Sequence, residues 1–254
     1  MSGKREHPLF AGGRLSLGPF LKLADPAVVE AFALAGFDHV VIDREHGPLS
    51  VESVQNLVRA AELRGIVPFV RVPRNDPSEI LRVLDVGAVG VHVPHVSTAA
   101  DARRAAAACR FHPEGDRGVC RFVRAAGYSS IPAPRHFAAA NQRTIVVLHL
   151  EGTAGLANLD QILSVPGADV VFLGPYDLSQ ACGVPGEVHH PRVLDLMRAA
   201  VQQARAASVV VGTFVESPAD AHTWIGLGVQ YLCYSVDVGI LYSAAADIVR
   251  QVRR

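Results

Sequence analysis

Two carboxylates carry the first chemical signal in this chain: Glu151 and Asp177 stand at or just beyond the ends of two apolar runs, 145–150 and 169–173. If both runs are parallel strands of one sheet or barrel, their carboxyl ends share a face, and acids 26 positions apart in sequence can converge. Like charges ~4 Å apart repel by about 4 kcal/mol at an effective dielectric near 20. Such a pair therefore asks for a shared proton or for a cation.

Other polar residues stand at the ends of apolar runs. Asp43, Arg44, Glu45 and His46 follow the run 39–42, and Arg71 lies near the end of 67–72. Strand alternation puts residues two apart on one side, so His149 should point with Glu151. For His149 three readings stand open: a third ligand, a partner that holds a metal-bound water, or a hydrogen-bonded core residue. His92 and His95, in or beside an apolar run, read as satisfied core groups, and His189-His190 as a helix cap or surface pair.

These residues have to be positioned by an alternation of β-like runs and helical segments. Strands are expected at 15–20, 39–42, 67–72, 89–93, 145–150, 169–173, 209–214 and 230–235, each followed by a helix. Asp25-Pro26, Asp76-Pro77 and Ser217-Pro218 each pair an N-cap with a proline at the first helical position, and Ser50 is a further cap. An irregular Pro-, Gly- and Arg-bearing insertion spans about 111–143, with a short helix expected near 135–140. Eight strand–helix units and no G-x-G-x-x-G turn favour an α/β fold of the (β/α)8 TIM-barrel class, as a single domain over 1–254. In that fold catalytic groups sit at the carboxyl ends of the strands. Convergence from several strands outweighs the plainer reading of each residue as a surface charge.

Composition narrows the chemistry. Lys plus Arg and Asp plus Glu are 24 each, and no basic run or aromatic-interleaved patch occurs, so nucleic acid is not an expected partner. Hydrophobic residues make up 50%, ample for a buried core, yet no apolar run reaches ~18 residues, so no membrane is expected and the chain reads as cytoplasmic. The four cysteines lack C-x-x-C spacing and read as packing residues of a reducing compartment. Lys4 and Lys22 are the two lysines, against 22 arginines. A Schiff-base mechanism needs an amine in the barrel mouth, and this scarcity weighs against it.

The segments 36–38 and 41–48 (I-D-R-E-H-G-P from Ile42), 70–73, 115–119, Leu150-Glu151 and 174–179 (G-P-Y-D-L-S) resemble the HpcH/HpaI aldolase family of metal-dependent pyruvate aldolases. The likeness runs from about residue 15 onward, in order and spacing. It implies a divalent ion, Mg²⁺, Mn²⁺ or Co²⁺, bound by Glu151 and Asp177, with water and the oxygens of pyruvate or a related 2-oxo acid filling the other positions. It implies His46 as the catalytic acid–base group, Asp43 as the residue that orients it, and Arg71 as the group that steadies the enolate oxygen. Gly174 and Pro175 would bring backbone close to the ligand carboxylate. The implied activity is reversible aldol cleavage of 4-hydroxy-2-oxo acids to pyruvate and an aldehyde. The resemblance also implies a homo-oligomer, since family members are often dimers that exchange the last helix and assemble as hexamers.

Two departures bear on substrate. His149 stands where the family leads one to expect glutamine, and Cys120-Arg121-Phe122, with Arg124 close behind, replaces small residues. Arg121 or Arg124 would recognise a carboxylate on the second substrate; a solvated or interfacial role is the alternative. Two rival functions remain: a synthase or decarboxylase that uses oxaloacetate, and a non-catalytic oxo-acid or metal-binding protein.

Overall fold

The structure, a computed structural model, describes residues 7–253; the charged stretch at Lys4, Arg5 and Glu6 lies outside the described residues. Eight parallel strands close into one barrel: β1 (Ser16–Leu21), β2 (His39–Asp43), β3 (Val67–Arg71), β4 (Gly90–Val93), β5 (Ile145–Leu150), β6 (Val170–Leu173), β7 (Val210–Val215) and β8 (Tyr231–Val236), with β8 returning to β1. The helices α1 (Pro26–Ala35), α2 (Val51–Arg64), α3 (Pro77–Asp85), α4 (Ala99–Cys109), α5 (Ala133–Arg143), α6 (Thr153–Ala157), α7 (Leu159–Leu163), α8 (Pro175–Ala181), α9 (Pro191–Ala206), α10 (Pro218–Leu227) and α11 (Asp237–Val252) surround them.

Capping chemistry starts these helices where the sequence places it. Asp25, Ser50, Asp76 and Ser217 each accept a backbone N–H of the first turn, and proline follows three of the four. Two elements exceed expectation. The helix in the insertion is α5, a full 133–143, and Gly174-Pro175 is the cap and first residue of α8, a short helix not expected at that point.

Alternation along the strands divides the core in two. Outward residues such as Val40, Ile42, Val70 and Val91 pack against the helices. Inward residues, among them Phe20, Val41, Phe69, Val147, Phe172 and Tyr231, fill the barrel. Gly90 is required there, because a Cβ would collide with the Phe69 ring. The inward register also carries the chemistry: Asp43 pairs with Arg71 across β2 and β3, and Arg71 with His92 across β3 and β4.

Candidate active site

At the carboxyl ends of the strands a cavity of about 360 Å³ is lined by Asp43, His46, Arg71, Glu151, Asp177 and Lys22, with Phe20, Phe172, Pro175 and Phe214 as apolar walls. Every expected catalytic and metal-ligating residue lines it. Arg121 does not; it is exposed and lies over the Phe122 ring at 4.8 Å. Arg124 is tied to Glu62 and to the Val86 carbonyl, near the starts of β3 and β4, at the end of the barrel away from the cavity. Its expected carboxylate-binding role is thereby corrected: its charge is already spent on Glu62. Arg117 is likewise structural, buried and paired with Asp85 at 2.7 Å.

Gly174 brings the two carboxylates together. A Cβ built on it would lie 3.0 Å from Glu151 Cγ, 3.7 Å from Glu151 Oε1 and 3.8 Å from Asp177 Oδ2. The glycine thus leaves the space over which both acids converge. Glu151 ends β5 and is buried; Asp177 is exposed, in the first turn of α8. Ser179 fixes that helix to the following loop, donating to the Tyr176 carbonyl and accepting from Gly186 N.

Glu151 is held by two histidines. His149 Nδ1 lies 3.0 Å from Oε1, while the His95 backbone N–H donates to Oε2 at 3.0 Å and His95 Nδ1 lies 3.1 Å from the same oxygen. Burial alone would raise its pKa, yet the contacts with His149 and His95 reverse the balance and hold it at about 2, so the carboxylate is ionised. Hard, ionised oxygen donors suit Mg²⁺ or Mn²⁺. Among the described residues no group of three or more His, Cys, Asp and Glu side chains is placed to hold a metal. Two carboxylates would therefore leave most coordination positions to water and substrate.

Asp43 corrects an expectation. It is fully buried and grips Arg71, accepting from Nε at 2.9 Å and Nη2 at 2.8 Å, and takes the backbone N–H groups of Glu45 and His46. It orients the arginine and the loop, not the His46 ring. That ring is 61% exposed, and the nearest carboxylate oxygen in an ion pair with it, Glu45 Oε2, is 4.0 Å away. Arg71 also lies over the Phe20 ring at 4.7 Å, which fixes the plane of its guanidinium.

Glu45 and His95 are the residues the sequence reading missed. Glu45 Oε2 is 3.2 Å from Arg71 Nη1 without hydrogen-bond geometry, and Oε1 is 3.2 Å from His95 Nε2. Burial, partly offset by Arg71 and reinforced by the nearby Glu151 charge, pushes Glu45 up to about 7. His95 is no core group: it is 68% exposed and bridges Glu45 and Glu151. β4 ends at Val93, and a left-handed backbone at His95 (φ 55) turns its side chain to the mouth. Glu45 had a signal in its place beside Asp43 at a strand end; His95 had none, because that turn is not written in residue type.

His92 is a core residue, as expected. Its Nδ1 lies 2.8 Å from His149 Nε2 and its Nε2 lies 2.8 Å from Tyr231 Oη, all three side chains being fully or almost fully buried. Burial lowers both histidines, for His149 against the opposing pull of the Glu151 carboxylate. Of the three readings of His149, the contacts support the hydrogen-bonded core residue, with the Glu151 carboxylate as one of its two partners. His190 caps α9, and His189 pairs with Asp220 at 2.9 Å.

Comparison with known proteins agrees with this fold. The family model described as HpcH/HpaI aldolase/citrate lyase matches residues 16–244. A 4-hydroxy-2-oxo-heptane-1,7-dioate aldolase of Salmonella typhimurium is 38% identical over 92% of this chain and 88% of its own. The crystal structure of an HpcH/HpaI aldolase/citrate lyase family protein from Burkholderia cenocepacia superposes with a TM-score of 0.92 at 32% identity, covering 97% of each chain. A solved citrate synthase is similar at a TM-score of 0.87 and 29% identity over 95% of this chain and 94% of its own.

Proposed function

The chain belongs to the HpcH/HpaI aldolase/citrate lyase family and is a carbon–carbon lyase of the aldolase kind, and from that premise we propose that it cleaves 4-hydroxy-2-oxo acids to pyruvate, or a related 2-oxo acid, and an aldehyde, with a divalent cation held by Glu151 and Asp177. The observation that carries this reading is the convergence of both carboxylates over Gly174, in one cavity with Arg71 and His46. The chemistry such a cation supplies is Lewis-acid stabilisation of negative charge on oxygen.

The residues divide the remaining work. Arg71, locked by Asp43, aims the N–H groups left over from that pairing at the oxygen where enolate charge develops; because it is already oriented, little reorganisation is needed as the charge appears. His46, exposed to the cavity, takes the proton from the C4 hydroxyl as the C3–C4 bond breaks, the bonding pair passing to the enolate. Reprotonation at C3 gives the methyl group of pyruvate. Phe20, Phe172, Pro175 and Phe214 exclude water from one side of the enolate. The cavity suits small oxo acids as partners, and the family's oligomeric habit suggests a homo-oligomer in solution.

Exchange of the pyruvate methyl protons with deuterated water, followed by NMR, tests the proposal. Exchange is expected with Mg²⁺ or Mn²⁺ and should vanish with a chelator; a folded protein with no metal-dependent exchange would overturn it. Likeness to a citrate synthase keeps a second reading, bond formation from an oxaloacetate-derived enolate. Oxaloacetate consumption measured in parallel, without exchange of pyruvate, would favour that one.

A further inference from the structure

Tyr231, His92 and His149 belong to no step of the proposed reaction, yet they set polar atoms among the Phe, Val and Ile side chains of the barrel interior. Each comes from a different strand: β8, β4 and β5. β8 and β4 are opposite one another in an eight-strand barrel, so the contacts cross its whole width. Their order runs Tyr231 Oη, His92 Nε2, His92 Nδ1, His149 Nε2, His149 Nδ1 and Glu151 Oε1, with separations of 2.8, 2.8 and 3.0 Å.

The direction of every hydrogen bond follows from the last member. An ionised carboxylate accepts and cannot donate, so His149 carries its proton on Nδ1. A neutral imidazole with Nδ1–H accepts at Nε2, so His92 donates from its own Nδ1. His92 Nε2 is then an acceptor, and Tyr231 donates to it. With both rings uncharged, this one proton arrangement satisfies all three contacts.

We propose that this column positions the Glu151 carboxylate for cation binding, with Tyr231 and His92 acting at a distance by locking the His149 tautomer. The rings are held against rotation: His149 stacks on Phe172 at 4.5 Å, His92 meets the Phe20 and Phe69 rings edge-on at 6.0 and 5.5 Å, and Tyr231 stacks on His39 at 4.3 Å. The column begins at a fully buried hydroxyl, so it orients and does not carry protons to solvent. Glu151 is thereby the preorganised ligand, and exposed Asp177 the adaptable one. Outer partners of this kind commonly set metal affinity.

The inference rests on Glu151 being a metal ligand, and the test separates the two claims. In the metal-free protein, long-range proton–nitrogen NMR should report Nδ1–H tautomers for both His92 and His149. Mn²⁺ affinity, read by electron paramagnetic resonance, should fall about fivefold in Tyr231→Phe and tenfold or more in His149→Phe. His149→Gln, whose amide can still donate to Glu151 and accept from His92, should stay within about twofold of wild type. An Nε2–H tautomer at either histidine overturns the column, as does unchanged affinity in both Tyr231→Phe and His149→Phe when Glu151→Gln abolishes binding. Unchanged affinity in Glu151→Gln instead overturns the ligand assignment on which the inference rests.

Discussion

Asp43 and Arg71 stand opposite one another on adjacent parallel strands, and the buried carboxylate takes two guanidinium N–H groups side by side at 2.9 and 2.8 Å. A two-point grip fixes a plane, which a single contact could not. Arg71→Lys keeps the charge and loses the fork, so kcat for pyruvate proton exchange should fall about 10²- to 10³-fold. Asp43→Asn should fall in the same range, with Mn²⁺ affinity little changed. If Arg71→Lys keeps full exchange activity, planar recognition at this position is refuted.

Metal and proton chemistry should separate by residue. Glu151→Ala and Asp177→Ala are expected to abolish Mn²⁺ binding in titration calorimetry. His46→Ala should bind the ion normally and lose about 10²- to 10⁴-fold in exchange rate. Loss of binding in His46→Ala would move that residue into the ligand set.

Glu45 gives the site a pH dependence of definite sign. Held at about 7 in the fold against an ordinary value of 4.5, it keeps its proton more readily folded than unfolded. Its contribution to stability is therefore fully present below pH 4.5 and is lost as pH rises through 7. Urea unfolding of the chelated protein at pH 5 and pH 8 should show Glu45→Gln gaining about 1–3 kcal/mol relative to wild type at the higher pH. An equal difference at both values would show that Glu45 does not titrate in this range.

Lys22 lines the cavity, with its backbone N–H held by both oxygens of buried Asp237 at 3.0 and 2.9 Å. That placement makes the covalent alternative worth a direct trial. Borohydride added with pyruvate should leave the mass of the protein unchanged and its activity intact. An adduct lost in Lys22→Met would establish an imine and displace the metal-assisted route.

Periodicity and capping chemistry made the barrel legible. Apolar runs, three cap-proline pairs and Ser50 act within a few residues, where chain geometry alone decides. The same local rules brought Asp43, His46, Arg71, Glu151 and Asp177 to one end, since parallel strands leave no other place for their carboxyl termini. The insertion resisted that reading. Arg121 and Arg124 fall near one another in sequence, but Arg124 is drawn to Glu62, a distant partner that a linear pattern does not name.

What only the tertiary structure decided is which group each polar side chain faces. Asp43 could serve His46 or Arg71, and the register of β2 against β3 chose Arg71. His95 looked like core until a positive φ turned it outward, and His149 acquired its partners from β4 and, through His92, from β8. Sequence spacing sets the face of a strand on which a residue lies, because alternation is a property of the chain. It does not set distances across a barrel, because those arise when eight separate segments close on one another.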